Sequence, residues 1–138
     1  MAMVNYKLIT VFAVFAFAVS CHDREIMFRK TGISPSAEGK AILSQGDDDD
    51  CMIEVRVEHL VDPGRLHPEK TAYVLWVKNT DKDITNLGHI VIDDKGSGEI
   101  TAVTSYEQFY LFISAEDGPD VSDPGAYIVL RTDIVFAS

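Results

Sequence analysis

Short apolar runs separated by turn residues are the feature of this sequence that most restricts its fold. Residues 53–58 alternate apolar and charged side chains without a break, the pattern of a strand with one face in solvent. Comparable runs follow, and clusters of Gly, Pro, Asp or Asn separate them. The predicted strands cover residues 53–58, 71–77, 87–92, 99–104, 109–113, 127–130 and 134–136. Because no window keeps a capped helical period, the pattern predicts an all-β domain over residues 51–138, a small antiparallel immunoglobulin-like β-sandwich of six or seven strands.

Two of these runs have the composition of central strands. Residues 71–77 are apolar on both faces, and residues 109–113 form the most apolar run of the domain. Residues 87–92 and 99–104 lie on either side of an Asp- and Gly-rich turn, so we predict that they pair as a hairpin. The largest core side chains are expected to be Tyr73, Trp76, Phe109 and Phe112.

The first twenty residues have the layout of a secretory signal peptide. Lys7 is the only cation before Arg24, and twelve residues with one polar member follow it. As a helix, twelve residues would rise about 18 Å, which is too short for a hydrocarbon core of roughly 30 Å. We therefore predict a cleaved signal over residues 1–20 and an exported protein.

The residues at the end of this signal indicate how it is cut. Ala18-Val19-Ser20-Cys21 resembles the bacterial lipobox, although Ala18 stands where the family usually has Leu. The resemblance implies acylation of Cys21 and attachment to the membrane on the periplasmic or extracellular side. Ordinary cleavage after Ala18 or Ser20, giving a secreted soluble protein, is the alternative.

Cys51 distinguishes these two outcomes. If Cys21 carries lipid, Cys51 is left as a buried small residue or a free thiol. If Cys21 is not acylated, the two cysteines can pair in an oxidising compartment and close a loop of about 30 residues, worth roughly 3 kcal/mol. The sequence leaves both possibilities open.

Residues 21–50 show no sustained period and are rich in Gly, Ser and Pro. The segment ends in four consecutive aspartates, Asp47–Asp50, which repel one another and lack the spacing of a calcium-binding loop. We therefore predict a flexible acidic tether between the signal and the domain.

The charge and cysteine counts exclude several classes of function. The 138 residues carry 12 cations and 22 anions, a formal charge of −10, whereas a nucleic-acid binder needs a cationic surface. Two cysteines exclude a disulfide-dense scaffold and a four-thiolate zinc site. The expected partners are the membrane, through lipid on Cys21, and an envelope protein.

Residues 71–130 resemble a known domain. Thr71-Ala-Tyr-Val-Leu-Trp-Val77, Asn86-Leu-Gly88, Asp93-Asp-Lys-Gly96, Phe112-Ile-Ser-Ala-Glu116 and Pro124-Gly-Ala-Tyr-Ile-Val-Leu130 occur in the order found in the extracytoplasmic domain of anti-sigma-K-type factors. The resemblance implies a β-sandwich on the extracytoplasmic side. We expect neither the sigma-binding helical domain nor the membrane helix of that family in this chain.

No catalytic pattern is present. The sequence contains no Gly-x-Ser-x-Gly elbow and no Gly-rich phosphate loop, and we expect no catalytic residue and no cofactor. We expect His59 and His67 at the surface and His89 at the edge of the core, with Asp117, Asp120 and Asp123 in a solvated loop. The weak candidates for a metal site are His59, His67, His89, Asp117, Asp120 and Asp123.

Three functions therefore remain. The first is a non-catalytic binding or structural module that uses the loops at one end of the sandwich. The second is a sensor or partner-binding domain of an anti-sigma-like system. The third is a small metal-binding sandwich.

Overall fold

The computed structural model describes residues 23–137, which form two antiparallel β-sheets packed face to face. The strands are β1 (Arg24–Met27), β2 (Arg29–Lys30), β3 (Glu38–Gln45), β4 (Cys51–Glu58), β5 (Ala72–Asn79), β6 (Ile84–Ile90), β7 (Gly98–Thr104), β8 (Gln108–Glu116), β9 (Ile128–Arg131) and β10 (Val135–Phe136). A short 3-10 turn, Pro63–Arg65, lies between β4 and β5. Within the described residues no helix is long and apolar enough to cross a membrane. The predicted all-β sandwich is confirmed.

The first sheet has four strands in the order β1-β3-β4-β7, and we call it sheet A. The second has the order β2-β9-β8-β5-β6, with β10 also paired to β8, and we call it sheet B. Strands β5 and β8 lie in the centre of sheet B, as their composition predicts. Side chains from the inner faces of both sheets form one core, in which Tyr73 and Phe109 are among the largest fully buried residues. Trp76 and Phe112, also predicted as core residues, are buried in a separate cluster with Val74.

The predicted tether over residues 21–50 is wrong for the described part of that range. Strands β1, β2 and β3 lie there, and β3 pairs with β4 along its whole length, from Glu38 opposite Glu58 to Gln45 opposite Cys51. Ala41 and Leu43 are fully buried in the core. Among the described residues the sandwich therefore begins at Arg24 and not at Cys51.

The four aspartates form the turn of the β3–β4 hairpin. The amide of Gly46 donates to the carbonyl of Asp50 at 2.8 Å, and Asp48 and Asp49 adopt positive φ angles of 53° and 65°. The side chains of Asp47, Asp48 and Asp49 are exposed, so their like charges are solvated although the backbone is ordered into a turn.

The predicted hairpin between residues 87–92 and 99–104 is also wrong. Strand β6 pairs with β5 in sheet B, whereas β7 pairs with β4 in sheet A. The intervening turn carries the chain from one sheet to the other, and Leu60 holds it there by donating its amide to the carbonyl of Gly96 at 3.0 Å. Gly96 has a φ of 78°, and a Cβ at this position would collide with the Leu60 backbone.

Candidate functional site

Sheet B has an apolar outer face. Because side chains alternate along a strand, Val74, Trp76 and Lys78 point outwards from β5, opposite to the inward Tyr73, Leu75 and Val77. Tyr110, Phe112, Ser114 and Glu116 point outwards from β8 in the same way. The rings of Trp76 and Phe112 are stacked with their centroids 6.2 Å apart. This outer face therefore needs a cover.

Residues 117–127, which we call the cover loop, bury one half of this face. Val121 packs on the cluster of Val74, Trp76 and Phe112. The side-chain amide of Asn86 on β6 donates to the carbonyls of Pro119 and Val121 at 3.0 and 2.9 Å. The loop that the sequence predicts as solvated is thus bound to the sheet, while its aspartates remain exposed.

A buried chain of hydrogen bonds joins the sheet to the cover loop. The indole N–H of Trp76 donates to Ser114 Oγ at 2.8 Å, and that hydroxyl donates to Glu116 Oε1 at 3.2 Å. The amide of Gly125 donates to the same Glu116 oxygen at 2.6 Å. Glu116 is 5% exposed, so this carboxylate fixes the far end of the loop from inside the protein.

The other half of the outer face is open and forms a groove of about 360 Å³. Tyr110 and Phe112 from β8 and Ile128 from β9 supply apolar surface, and Pro124 of the cover loop closes one side. Tyr110 is 38% exposed, unlike the buried Phe112 beside it. Lys78 and Arg131 also line this groove, and Ile84 lies across from Lys78 on β6.

Neither cation of the groove is neutralised by the protein. Within residues 23–137 neither Lys78 nor Arg131 makes an ion pair or a side-chain hydrogen bond. Arg131 lies opposite Arg29, and Arg29 is bound to Asp133 at 2.7 Å. In an acidic chain, two unpaired cations beside an apolar groove are available to an anionic ligand.

The outer face of sheet A is different, because charged residues that neutralise one another cover it. Arg56 binds Glu54 at 2.8 Å and lies 3.7 Å from Glu99, and Lys40 lies 3.5 Å from Glu25. A cavity on this face is lined mainly by charged residues, including Glu25, Lys40 and Arg56. The arrangement is that of a solvated sheet face.

The predicted metal candidates do not converge on one another. His59 and His67 are exposed, as predicted, whereas His89 is exposed on edge strand β6 and not at the edge of the core. Its side chain follows the outward row of β6, opposite Val74, and this corrects the prediction. Asp117, Asp120 and Asp123 are exposed in the cover loop and form no ligand cluster in the described part of the chain.

His59 instead approaches two glutamates that the sequence analysis missed. Glu38 and Glu58 are directly opposite on β3 and β4, and His59 has a φ of 57° immediately after β4. One ligand atom from each of the three lies within 4.8 Å of the others, the only such group among residues 23–137. The pairing of β3 with β4 brings the glutamates together, and that pairing lay in the segment predicted as a tether.

At the loop end of the sandwich, the carboxylates are engaged by their own turns. Asp93 accepts hydrogen bonds from the amides of Lys95 and Ser97 at 2.9 and 3.0 Å. The hydrogen bond from Ser97, followed by the one from Lys95, lowers the pKa of Asp93. Asp62 accepts similarly from the amide of Gly64 at 2.8 Å. The acidic residues here shape turns and leave the groove as the better candidate for a binding site.

Cys51 is buried at the start of β4 and is disulfide-bonded. The predicted lipidation site Cys21, like the signal over residues 1–20, lies outside the described residues.

Comparison of the chain with known proteins finds no matching family model and no matching curated protein.

Proposed function

We propose that this chain is an exported, non-catalytic binding module of the cell envelope, and that its binding surface is the open groove on the outer face of sheet B. The observation that carries the proposal is an apolar groove with two unpaired cations, Lys78 and Arg131, on a chain whose net charge is −10. Ligand sites in proteins are concave and mostly apolar, with a small number of polar groups that orient the ligand. The groove has this composition.

Export is supported by two independent features. Residues 1–20 have the charged start and the apolar stretch of a secretory signal. The disulfide-bonded state of Cys51 suits an oxidising compartment, where disulfides persist.

The mode of attachment depends on Cys21, the one other cysteine of the sequence. A thioether to lipid and a disulfide to Cys51 exclude each other, because each uses the same sulfur atom. The lipobox-like sequence supports a lipid anchor, and the disulfide at Cys51 favours the secreted alternative.

The intact mass of the mature protein, measured before and after reduction, distinguishes the two forms. A lipid anchor predicts acyl mass on Cys21 and palmitate labelling that is lost in Cys21→Ala. A secreted form predicts an unlabelled chain that gains the mass of two hydrogen atoms when a reductant converts the disulfide to two thiols. Palmitate labelling that persists in Cys21→Ala would contradict the anchor.

Binding in the groove can be tested with N-phenyl-1-naphthylamine, an uncharged aromatic probe that becomes more fluorescent in apolar surroundings. We expect saturable binding that Tyr110→Ala weakens, because Tyr110 supplies exposed apolar surface to the groove. Val103→Ala is the matched control, since Val103 is 49% exposed on the outer face of sheet A. Equal effects of the two substitutions would contradict a binding site in the groove.

Metal binding is a second candidate function, favoured by the cluster of Glu38, Glu58 and His59. Two carboxylates and one imidazole are ligands that divalent transition metals accept. Calorimetric titration with Zn²⁺ should show one site that Glu58→Gln removes and that Asp123→Asn in the cover loop leaves intact. An absence of heat, or an equal response of both variants, would reject this function.

A sensor or partner-binding role in an anti-sigma-like system rests on the resemblance of residues 71–130 alone. That stretch contains β5 to β8, the cover loop and β9 as far as Leu130, and it therefore supplies most of the groove except Arg131 and Thr132. Location of the gene beside a sigma-factor gene would support this role.

A further inference from the structure

We infer that the groove on the outer face of sheet B binds a small anionic amphiphile, a molecule with an apolar or aromatic body and one carboxylate, sulfonate or phosphate group. This inference rests on the proposed function, because it names the class of ligand for the same groove. Three properties of the groove carry it: the position of its cations, its size and the fixed position of its wall.

The two cations lie on either side of the apolar floor. Lys78 is on β5, directly opposite Tyr110 of β8, and Arg131 is on β9, directly opposite Phe112 of β8. A ligand whose apolar body lies over Tyr110 and Phe112 thus has a cation on each side of β8 for its anionic group. Arginine suits this task, because its guanidinium donates two parallel hydrogen bonds to one carboxylate, sulfonate or phosphate.

Lys78 and Arg131 differ from the ion-paired cations of the chain by sharing an apolar groove. Once residues 1–21 are set aside, 11 cations and 22 anions remain. Several of the cations lie beside acids, as Arg29, Lys40, Arg56 and Lys70 do. Lys78 and Arg131 have no acidic partner among the described residues and share one apolar groove. Charge complementarity therefore favours an anionic ligand over a neutral one of the same shape and disfavours a cationic ligand.

The size of the groove favours a small molecule over a protein partner. Its volume of about 360 Å³ lies at the lower end of the roughly 300–1,000 Å³ that small-ligand pockets occupy. A stable protein interface buries about 800 Å² on each partner, which is a far broader surface. The acidic chain is also repelled by anionic membrane surfaces, so we assign a free amphiphile and not a lipid within a bilayer.

The wall of the groove is formed before any ligand binds. Pro124 lies in the cover loop, and the hydrogen bond from the next amide, that of Gly125, to the buried Glu116 fixes this part of the loop. Little conformational entropy is then lost on binding, which favours a small ligand with few contacts.

The test compares two fluorescent probes that share an aromatic body. 8-Anilinonaphthalene-1-sulfonate carries one sulfonate, whereas N-phenyl-1-naphthylamine is its uncharged counterpart. We expect the wild-type protein to bind the sulfonate more tightly. Lys78→Gln and Arg131→Gln should each weaken sulfonate binding about fivefold and the double variant more than tenfold, with little change for the uncharged probe.

Arg56→Gln is the matched control, because Arg56 is an exposed cation on the outer face of sheet A. It should leave the affinity for both probes unchanged. Unfolding transitions that coincide with that of the wild type would show that Lys78→Gln and Arg131→Gln leave the fold intact.

The outcomes separate this inference from the proposed function. If the double variant binds the sulfonate as tightly as the wild type while Tyr110→Ala weakens both probes, the groove binds ligands and the anionic class is wrong. If Tyr110→Ala changes the affinity for neither probe, the probes bind elsewhere and the groove is not the binding site.

Two other occupants give distinct results. A second copy of the chain on the groove would appear in analytical ultracentrifugation as a dimer that Tyr110→Ala dissociates. A membrane occupant would appear as binding to phosphatidylglycerol vesicles that the double variant loses. We expect a monomer that does not bind these vesicles, and either contrary result would overturn the inference.

Discussion

The outer faces of the two sheets differ, although the strands on both sides of the core follow the same inward and outward alternation. On sheet A the outward positions of β4 are mostly charged, and Glu54 and Arg56 neutralise each other in solvent. On sheet B the outward positions of β5 and β8 include Trp76 and Phe112, which solvent cannot cover favourably. A second layer, the cover loop, lies over one half of sheet B and leaves the other half as a groove. The comparison shows that an outward row of apolar side chains must be covered by further structure. Where it is left uncovered, it offers a surface that can bind a ligand.

The largest predicted effect is that of Trp76→Ala. Trp76 is fully buried on the covered half of sheet B and donates to Ser114, so its loss removes apolar contacts and a buried hydrogen bond. We expect a loss of about 3–5 kcal/mol in the free energy of unfolding, measured by urea denaturation. A loss below about 1 kcal/mol would show that the covered half is not part of the core.

The next effect concerns the contact between the sheet and the cover loop. Glu116→Ala leaves the amide of Gly125 and the hydroxyl of Ser114 without their buried partner. We expect a loss of about 1–3 kcal/mol and faster amide hydrogen exchange in residues 117–127. Asp117→Ala is the control, because Asp117 is exposed and only approaches Lys70 at 3.5 Å. Unchanged exchange in Glu116→Ala would contradict the role of this carboxylate.

A smaller effect is expected on the inward side of β5. Tyr73 donates its hydroxyl to the carbonyl of Val61 in the β4–β5 connection. Burial, with a further contribution from the negative charge of Asp62, raises the pKa of Tyr73 from 10.0 to about 12. Tyr73→Phe should cost about 1 kcal/mol at neutral pH.

The same substitution gives a pH dependence. Because the pKa of Tyr73 is higher in the folded protein, its contribution to stability is complete below pH 10 and is lost as the pH rises through about 12. The free energy of unfolding should therefore change less between pH 7 and pH 11 in Tyr73→Phe than in the wild type. Equal changes in the two proteins would contradict a raised pKa of Tyr73. Deprotonation of lysines affects both proteins alike, so it does not enter this comparison.

The smallest effect is that of Arg56→Ala on sheet A. Exposed ion pairs contribute little, so the change in the free energy of unfolding should be the smallest of those predicted here. Urea denaturation of Arg56→Ala, run in parallel with Trp76→Ala, measures this change. A change as large as that of Glu116→Ala would mean that the two outer faces do not differ in the way described.

The sequence predicts the core strands well where the apolar period is strong. Residues 53–58, 71–77 and 109–113 correspond to β4, β5 and β8, because large apolar side chains mark their inward positions. Strand β3 escaped prediction because two of its inward residues are Gly39 and Ala41, which give little hydrophobic contrast. The aspartate run after β3 then suggested a spacer, although exposed aspartates also suit a hairpin turn.

Features that depend on distant contacts could not be predicted. A short turn between β6 and β7 has the same sequence whether the strands pair or belong to different sheets, and the contact of Gly96 with Leu60 decides between them. The groove also requires the pairing of β8 with both β5 and β9, which places Lys78 and Arg131 on one surface. The apolar composition of residues 71–77 on both faces was the one signal that an outer cover exists.

Nuclear magnetic resonance mapping of 8-anilinonaphthalene-1-sulfonate binding tests the central claim most directly. We predict shifts confined to the groove, at Tyr110, Phe112 and Ile128, with Met52 and Val103 unchanged. Those two residues are 38% and 49% exposed on the outer face of sheet A and provide apolar surface without a groove. Shifts at Met52 and Val103 equal to those at Tyr110, or no saturable shifts at Tyr110, would contradict the assignment of the binding surface to sheet B.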